Sequence, residues 1–200
     1  MCALPLDLPA SAEPAFAAAF DRAGKLVRGL EALGPVAGRD VVLVDGRDGI
    51  IAAGLEALDS RLTHAPLGSP LRLAVPDASA DVVVGAWSAF RGVDAGEMAE
   101  VDRSLRPDGR LLVVHDYGRD DLARLRGERP EYGPWSHRTG PFLAAGFRVR
   151  VLHCWLDFES LTEAGSFLGA TFGDGAADLA ANLKRPRLSY NVAIYHRSRS

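Results

Sequence analysis

The sequence places a histidine, an aspartate and a tyrosine side by side, at His115, Asp116 and Tyr117, directly after an apolar run. An imidazole titrates near pH 7, so His115 is the candidate catalytic base for removing a proton from a hydroxyl or an amine. Neighbouring residues on a strand point to opposite faces, so His115 and Asp116 are not expected to form one dyad. A solvated loop position is the alternative interpretation of His115.

A second polar cluster follows an earlier apolar run and contains Asp45, Gly46 and Gly49. Glycines in such a turn let backbone amides approach a ligand, and the N-terminus of the next helix adds positive potential. Asp45 could contact that ligand, or it could cap the helix that follows. The glycines could equally serve only a tight turn between a strand and a helix.

Trp87 ends another apolar run and is expected to face the same pocket. Its ring could stack on a substrate, or it could fill a vacated ligand site. The two cysteines, Cys2 and Cys154, have no metal-ligand spacing, and nothing in the sequence indicates a metal.

Short β-branched apolar runs that alternate with helical segments would position these clusters. The expected strands are 41–44, 61–67, 81–87 and 110–115, and the expected helices are 50–58, 94–105, 141–145 and 160–172. This alternation demands a parallel sheet covered on both faces. Two later segments, 147–151 and 188–194, alternate with period two and indicate an antiparallel addition at one edge. We therefore expect an α/β fold with three layers and a doubly wound sheet.

One domain is expected for 1–200, with an N-terminal helical segment over 1–34 and an α/β core over 40–200. Residues 11–33 should form one amphipathic helix with Ser11 as its N-cap. The formal charge of −3, with both signs interspersed, argues against nucleic-acid binding. The apolar runs are too short to cross a membrane, and the first ten residues do not have the pattern of a secretory signal. The cytoplasm is the expected compartment.

Residues 75–84 read VPDASADVVV and residues 99–114 read AEVDRSLRPDGRLLVV. These two segments resemble the small-molecule class I S-adenosylmethionine-dependent methyltransferases, whose pattern is LPFPDxSFDVVV and then EvxRvLrPGG followed by the strand rLlvv. The resemblance extends over residues 41–197. It implies S-adenosylmethionine as cofactor and a small molecule as substrate. The positions it implies next to the cofactor are Asp45, Gly46, Gly49, Asp77 and Trp87, although Asp77 also fits an ordinary turn.

The resemblance also implies the strand order 2-1-4-5-7-6 in the family's labels, with the last strand antiparallel between the fifth and the sixth. The third strand should be absent. Residues 67–75 are too few for a helix of about 11 residues, a strand and their connections.

Two departures from the family pattern bear on activity. The family has an acid followed by three glycines at alternate positions. If Asp45 is the acid, Arg47 replaces the first glycine and Ile51 the third; if Gly49 is the last glycine, the acid becomes Leu43. The expected second strand also ends without the carboxylate that accepts the ribose hydroxyls of the cofactor.

Two functions from different classes stay open at this point. The leading one is methyl transfer from S-adenosylmethionine to a small molecule, which the polar cluster at His115 favours. The other is a non-catalytic protein of the same fold with a binding or subunit-partner role, which the missing ribose carboxylate favours. Nicotinamide-dependent redox chemistry is a distant third, because it also needs a glycine-rich turn and a ribose acid. Self-association as a homo-oligomer is a further open possibility.

Overall fold

The computed structural model describes residues 8–45 and 49–199. Their strands are β1 (Asp40–Val44), β2 (Arg61–Ala65), β3 (Ala80–Ala86), β4 (Leu105–Asp116), β5 (Arg148–Asp157) and β6 (Arg187–Ser198). They form one sheet in the order β2-β1-β3-β4-β6-β5. β1 to β4 pair in parallel, whereas β6 runs antiparallel to both β4 and β5.

This order confirms the predicted sheet. The late strand β6 lies between β4 and β5, and the described residues contain no strand in the place of the family's third. The winding reverses between β1 and β3, which makes the sheet doubly wound. Successive residues of one strand enter different apolar cores, as Leu43 and Val44 do, so both faces of the sheet are buried.

Helices cover the two faces of the sheet. They are α1 (Glu13–Ala19), α2 (Lys25–Leu33), α3 (Ile50–Glu56), α4 (Ala95–Ser104), α5 (Asp121–Arg126), α6 (Pro141–Ala144), α7 (Leu161–Phe172) and α8 (Ala177–Asn182). Apolar residues of α1, α2, α3 and α7 enter one core, and those of α4 and α6 enter the other. None of the helices within 8–45 and 49–199 has the length and apolarity that a membrane crossing requires.

Two helices have the N-terminal side-chain caps that the sequence predicts. Asp94 accepts hydrogen bonds from the backbone amides of Gly96 and Glu97 at the start of α4. Ser160 accepts one from the amide of Glu163 at the start of α7. The predicted N-cap at Ser11 is wrong, because α1 begins after Ala12 without a side-chain cap.

The predicted single helix over 11–33 is also wrong, since the chain breaks between α1 and α2. Gly24 has a φ of 64°, in the left-handed region that glycine adopts without strain. The carboxylate of Asp21 accepts a hydrogen bond of 2.7 Å from the amide of Leu26 and so helps to begin a new helix. Phe20 instead forms an isolated bridge with Leu156 of β5.

The connection between β2 and β3 contains neither helix nor strand over residues 66–79. Two side chains of α4 hold its backbone in place. The amide of Leu73 donates to Glu100 at 2.8 Å, and Arg103 donates to the carbonyls of Leu73 and Val75, both at 3.0 Å. These bonds satisfy backbone groups that a neighbouring strand would otherwise pair.

Replacing the carboxylate that anchors this connection should therefore destabilise the protein. Arg103 holds the pKa of Glu100 down to about 2, and the Glu100 side chain is only 7% exposed. We expect Glu100→Gln to lower the free energy of unfolding by about 1.5–3 kcal/mol, the value of hydrogen bonds to a charged group. Urea unfolding measures it, with Glu97→Gln on the same helix as control, for which we expect less than about 0.5 kcal/mol. Equal losses in the two variants would show that Glu100 does not anchor the connection.

Candidate functional site

The carboxyl ends of β1 and β3 flank the point where the winding of the sheet reverses. Doubly wound folds bind ligands in the crevice at this point. Asp45 follows β1, and Trp87 and Ser88 follow β3. The Ser88 hydroxyl donates a hydrogen bond to the Asp45 carboxylate, which joins the two strand ends across the crevice.

Trp87 lies inside the protein at this edge. Its φ of 46° is in the left-handed region, and its residue surface is only 2% exposed. The indole N–H donates to Asp116 Oδ1 at 2.8 Å, and the ring meets that of Phe20 edge-on, with the centroids 6.2 Å apart. Of the two interpretations of Trp87, this geometry favours the one in which the ring fills the pocket.

Four rings form what we call the aromatic cluster: Phe16, Phe20, Trp87 and Tyr190. Phe16 and Phe20 stack with centroids 5.2 Å apart, and both meet Tyr190 edge-on, at 5.5 and 5.4 Å. Edge-on and offset contacts of this kind are the favourable ones for aromatic pairs. The N-terminal segment thus closes one side of the carboxyl edge with its own side chains.

Asp116 is the polar centre beneath the aromatic cluster. Its carboxylate accepts hydrogen bonds from Trp87, from the Tyr190 hydroxyl and from Arg126 Nη1, the last at 2.5 Å. The side chains of Asp116 and Arg126 are 3% and 7% exposed, so this is a buried ion pair. Burial, followed by the negative charge of Asp116, raises the pKa of Tyr190.

Sequence reasoning missed two members of this arrangement. Arg126 belongs to a stretch rich in arginine, in which no pattern distinguishes one residue from the next. Tyr190 lies on a strand with alternating polarity, where its apolar ring predicts burial but not a hydrogen bond to a carboxylate.

His115 lies on the opposite face of β4 from Asp116, so the prediction that they form no dyad is confirmed. The expected alternative, a solvated loop position, is wrong: His115 is 1% exposed. Its Nε2 bonds to the carbonyl of Phe90 at 2.9 Å, and the ring packs against Trp135 at 4.8 Å. Burial lowers the pKa of His115 to about 4. Its role as a base stays a prediction, and an enclosed imidazole bonded to the backbone does not favour it.

The structure does not bring Asp77 to this site, which corrects its expected place beside the cofactor. Asp77 precedes β3 and therefore lies at the amino edge of the sheet, opposite the end of β3 where Trp87 follows. Its side chain is 81% exposed and pairs with Arg103 at 2.7 Å. The error arises because the matched segment surrounds the start of β3, whereas ligands meet the strand's other end.

The remaining candidates belong to the turn after β1. Gly46 lies outside the described residues, as does Arg47. Gly49 is the N-cap of α3, with an extended φ of −101°. β2 ends at Ala65, opposite Val44 of β1, and no carboxylate follows it there.

A cleft of about 510 Å³ opens beside α5, next to the carboxyl end of β4. Arg119, Asp120 and Tyr132 are among its lining residues. Asp120 caps α5 by accepting from the amide of Ala123 at 2.7 Å, and burial raises its pKa to about 6. Within 8–45 and 49–199, no three His, Cys, Asp or Glu side chains are placed to hold a metal ion.

Comparisons with known proteins bear on the fold. No protein-family model matches the chain, and no curated protein matches it in sequence. A solved protein assigned as a type II methyltransferase from Anaeromyxobacter dehalogenans is 21% identical, with a TM-score of 0.56, over 87% of this chain and 95% of its own. An S-adenosylmethionine-dependent methyltransferase from Aquifex aeolicus is 15% identical, with a TM-score of 0.45, over 90% and 95%.

The similarity to the first of these structures is consistent with the strand order of this chain and with its antiparallel β6 between β4 and β5. The chain therefore has the fold of the class I S-adenosylmethionine-dependent methyltransferases.

Proposed function

We propose that this chain is a non-catalytic protein of the methyltransferase fold that has lost cofactor binding and has a binding or subunit-partner role. The observations that support the proposal are two contacts at the carboxyl ends of β1 and β3. Ser88 bonds to Asp45 across the crevice between these strands, and the buried ring of Trp87 fills the space behind.

Two features of the described residues argue against a site for S-adenosylmethionine. The resemblance implies a carboxylate after β2 for the ribose hydroxyls, but Pro66 and Leu67 follow that strand. Opening the crevice would break the bond from Trp87 to Asp116 and expose the indole ring. Truncating a buried aromatic side chain to alanine costs about 3–5 kcal/mol, which indicates the size of that penalty. A cofactor would have to supply this free energy before any net binding.

We therefore expect S-adenosylmethionine and S-adenosylhomocysteine to bind with dissociation constants weaker than about 100 μM, or about −5.5 kcal/mol. Isothermal titration calorimetry of the full chain with each compound is the test. The variant Trp87→Ala is the informative partner: if the ring closes the crevice, its removal should tighten S-adenosylhomocysteine binding at least about tenfold, or 1.4 kcal/mol. Micromolar binding to the unaltered chain would contradict the proposal.

Methyl transfer to a small molecule is the second candidate function, and the cleft beside α5 is the observation that favours it. Its volume of about 510 Å³ lies within the range of small-molecule sites, and it adjoins the end of β4. This candidate requires the crevice to accept the cofactor, so the same titration separates the two functions. Tight cofactor binding would favour the enzyme, and its absence would favour the non-catalytic protein.

A further inference from the structure

Basic side chains gather at the opposite, amino edge of the sheet, around a cleft of about 380 Å³. Arg110, Arg148 and His196 line it, together with Arg197 and Ser198. β5 and β6 place Arg148 directly opposite His196, and β4 and β6 place Arg110 directly opposite Ser198. Directly opposed residues of an antiparallel pair share one face, with Cβ atoms about 4.5–5.5 Å apart. The strand register therefore gathers Arg110, Arg148, His196 and Ser198 on one face, whereas Arg197, between the last two, points to the other.

Charge compensation is incomplete in this cleft. Arg197 pairs with Asp102 at 2.9 Å, whereas Arg110 donates to the neutral hydroxyl of Ser198 at 2.7 Å. Arg148, and Arg150 beside it, form no ion pair with a carboxylate among the described residues. Burial and then the charges of Arg110, Arg148 and Arg150 lower the pKa of His196. An anion that bound here would therefore meet positive charge that the carboxylates of the described residues do not neutralise.

We propose that this cleft binds the phosphate group of a small anionic ligand. Arg110 and Arg148 line the cleft, and Arg150 lies two residues further along β5 on the same face, so a single carboxylate would compensate at most one of these positive charges. A phosphate ester carries nearly two negative charges and three acceptor oxygens, and guanidinium groups bind it in a bidentate manner. The cleft lies at the amino edge, away from the crevice that ends β1 and β3, so this site is independent of the proposed function.

The test is a calorimetric titration of the full chain with inorganic pyrophosphate at low ionic strength, where charge interactions are least screened. We expect one saturable site with a dissociation constant below about 1 mM. Arg148→Gln should weaken binding at least about fivefold, because it removes one charged bidentate donor. The matched control is Arg185→Gln, an exposed arginine that precedes β6 at the other edge and should leave binding within about twofold.

A second measurement locates the anion. Bound pyrophosphate should raise the pKa of His196. Proton NMR measures this pKa, and the variant His196→Gln assigns the signal to His196. The rise should be absent in Arg148→Gln. No saturable binding, or binding that leaves the His196 pKa unmoved, would overturn the proposal. Equal weakening by Arg185→Gln would overturn it too, because it would show a diffuse effect of net charge. Succinate binding as tightly as pyrophosphate would overturn the assignment to phosphate.

Discussion

Replacing Arg126 with methionine should lower the free energy of unfolding by about 3–5 kcal/mol, the cost of leaving a buried charge without its ionic partner. Arg126 lies 2.5 Å from Asp116, and both side chains are almost fully buried. Trp87 and Tyr190 would still donate to the carboxylate, but neither carries a positive charge. Urea unfolding with a fitted slope is the measurement, because an unchanged slope shows that the change is one of stability.

Arg124→Met is the matched control for this prediction. Arg124 lies on the same helix, but its side chain is 78% exposed and pairs with Asp121 at 3.3 Å. Exposed ion pairs contribute at most about 1 kcal/mol. If Arg126→Met lowers the free energy of unfolding no more than Arg124→Met does, the buried ion pair does not stabilise the carboxyl edge as we expect. Adding Asp116→Asn to Arg126→Met should recover part of the loss, since the unpaired charge is then gone.

Stability should also fall as the pH is lowered from 7 to 4, because of His115. Its pKa is about 4 in the folded protein against 6.5 for an ordinary histidine, so between these values the unfolded chain binds a proton that the folded chain does not. The contribution of His115 is fully present above about pH 6.5 and is lost as the pH falls to 4. Integrated over that window it amounts to about 3 kcal/mol.

Asp120 acts in the opposite direction over part of the same window. The pKa of Asp120 is about 6 in the folded protein, above the ordinary 3.8. The contribution of Asp120 to the free energy of unfolding therefore falls as the pH rises between these values. A comparison with His115→Gln separates the two contributions, because glutamine keeps an N–H for the Phe90 carbonyl and does not titrate. In urea unfolding at several pH values between 4 and 7, the free energy of unfolding should fall much more steeply with decreasing pH in the unaltered chain than in His115→Gln. Parallel profiles would show that His115 does not cause the acid loss.

The sheet was predictable from the sequence because buried parallel strands require continuous apolar runs. The apolar run at residues 81–84 matches the centre of β3. Residues 67–75 are too few to hold a helix and a strand, which predicted that the family's third strand is absent. The N-terminal break was not predictable from periodicity. The apolar spacing of 11–33 continues through it, and the turn depends on a hydrogen bond between Asp21 and Leu26.

Two helices also escaped prediction for physical reasons. α5 has six residues, of which only Leu122 is buried, and α8 has no buried residue, so neither shows an apolar stripe. Short helices depend on tertiary contacts more than on intrinsic propensity. For α5 these contacts include two hydrogen bonds from Ser189 of β6 to Asp121.

The sequence predicted where the candidate site lies, but not whether its pocket is open or filled. Asp45, Trp87 and His115 all follow or end buried strands, which places them at or near the carboxyl edge. Whether Trp87 lines an open pocket or fills it depends on Phe20 and Asp116, which are distant in sequence. No local pattern encodes that packing.

The central claim is that the ring of Trp87 closes the crevice at the carboxyl edge. The most direct test is the NMR signal of its indole N–H, assigned with Trp87→Phe and followed during hydrogen exchange. If the N–H is buried against Asp116, it should exchange slowly, and a titration with S-adenosylhomocysteine should give no shift that saturates below about 100 μM, the expected limit for binding. Rapid exchange, or a shift that saturates below that concentration, would show an open crevice and contradict the account.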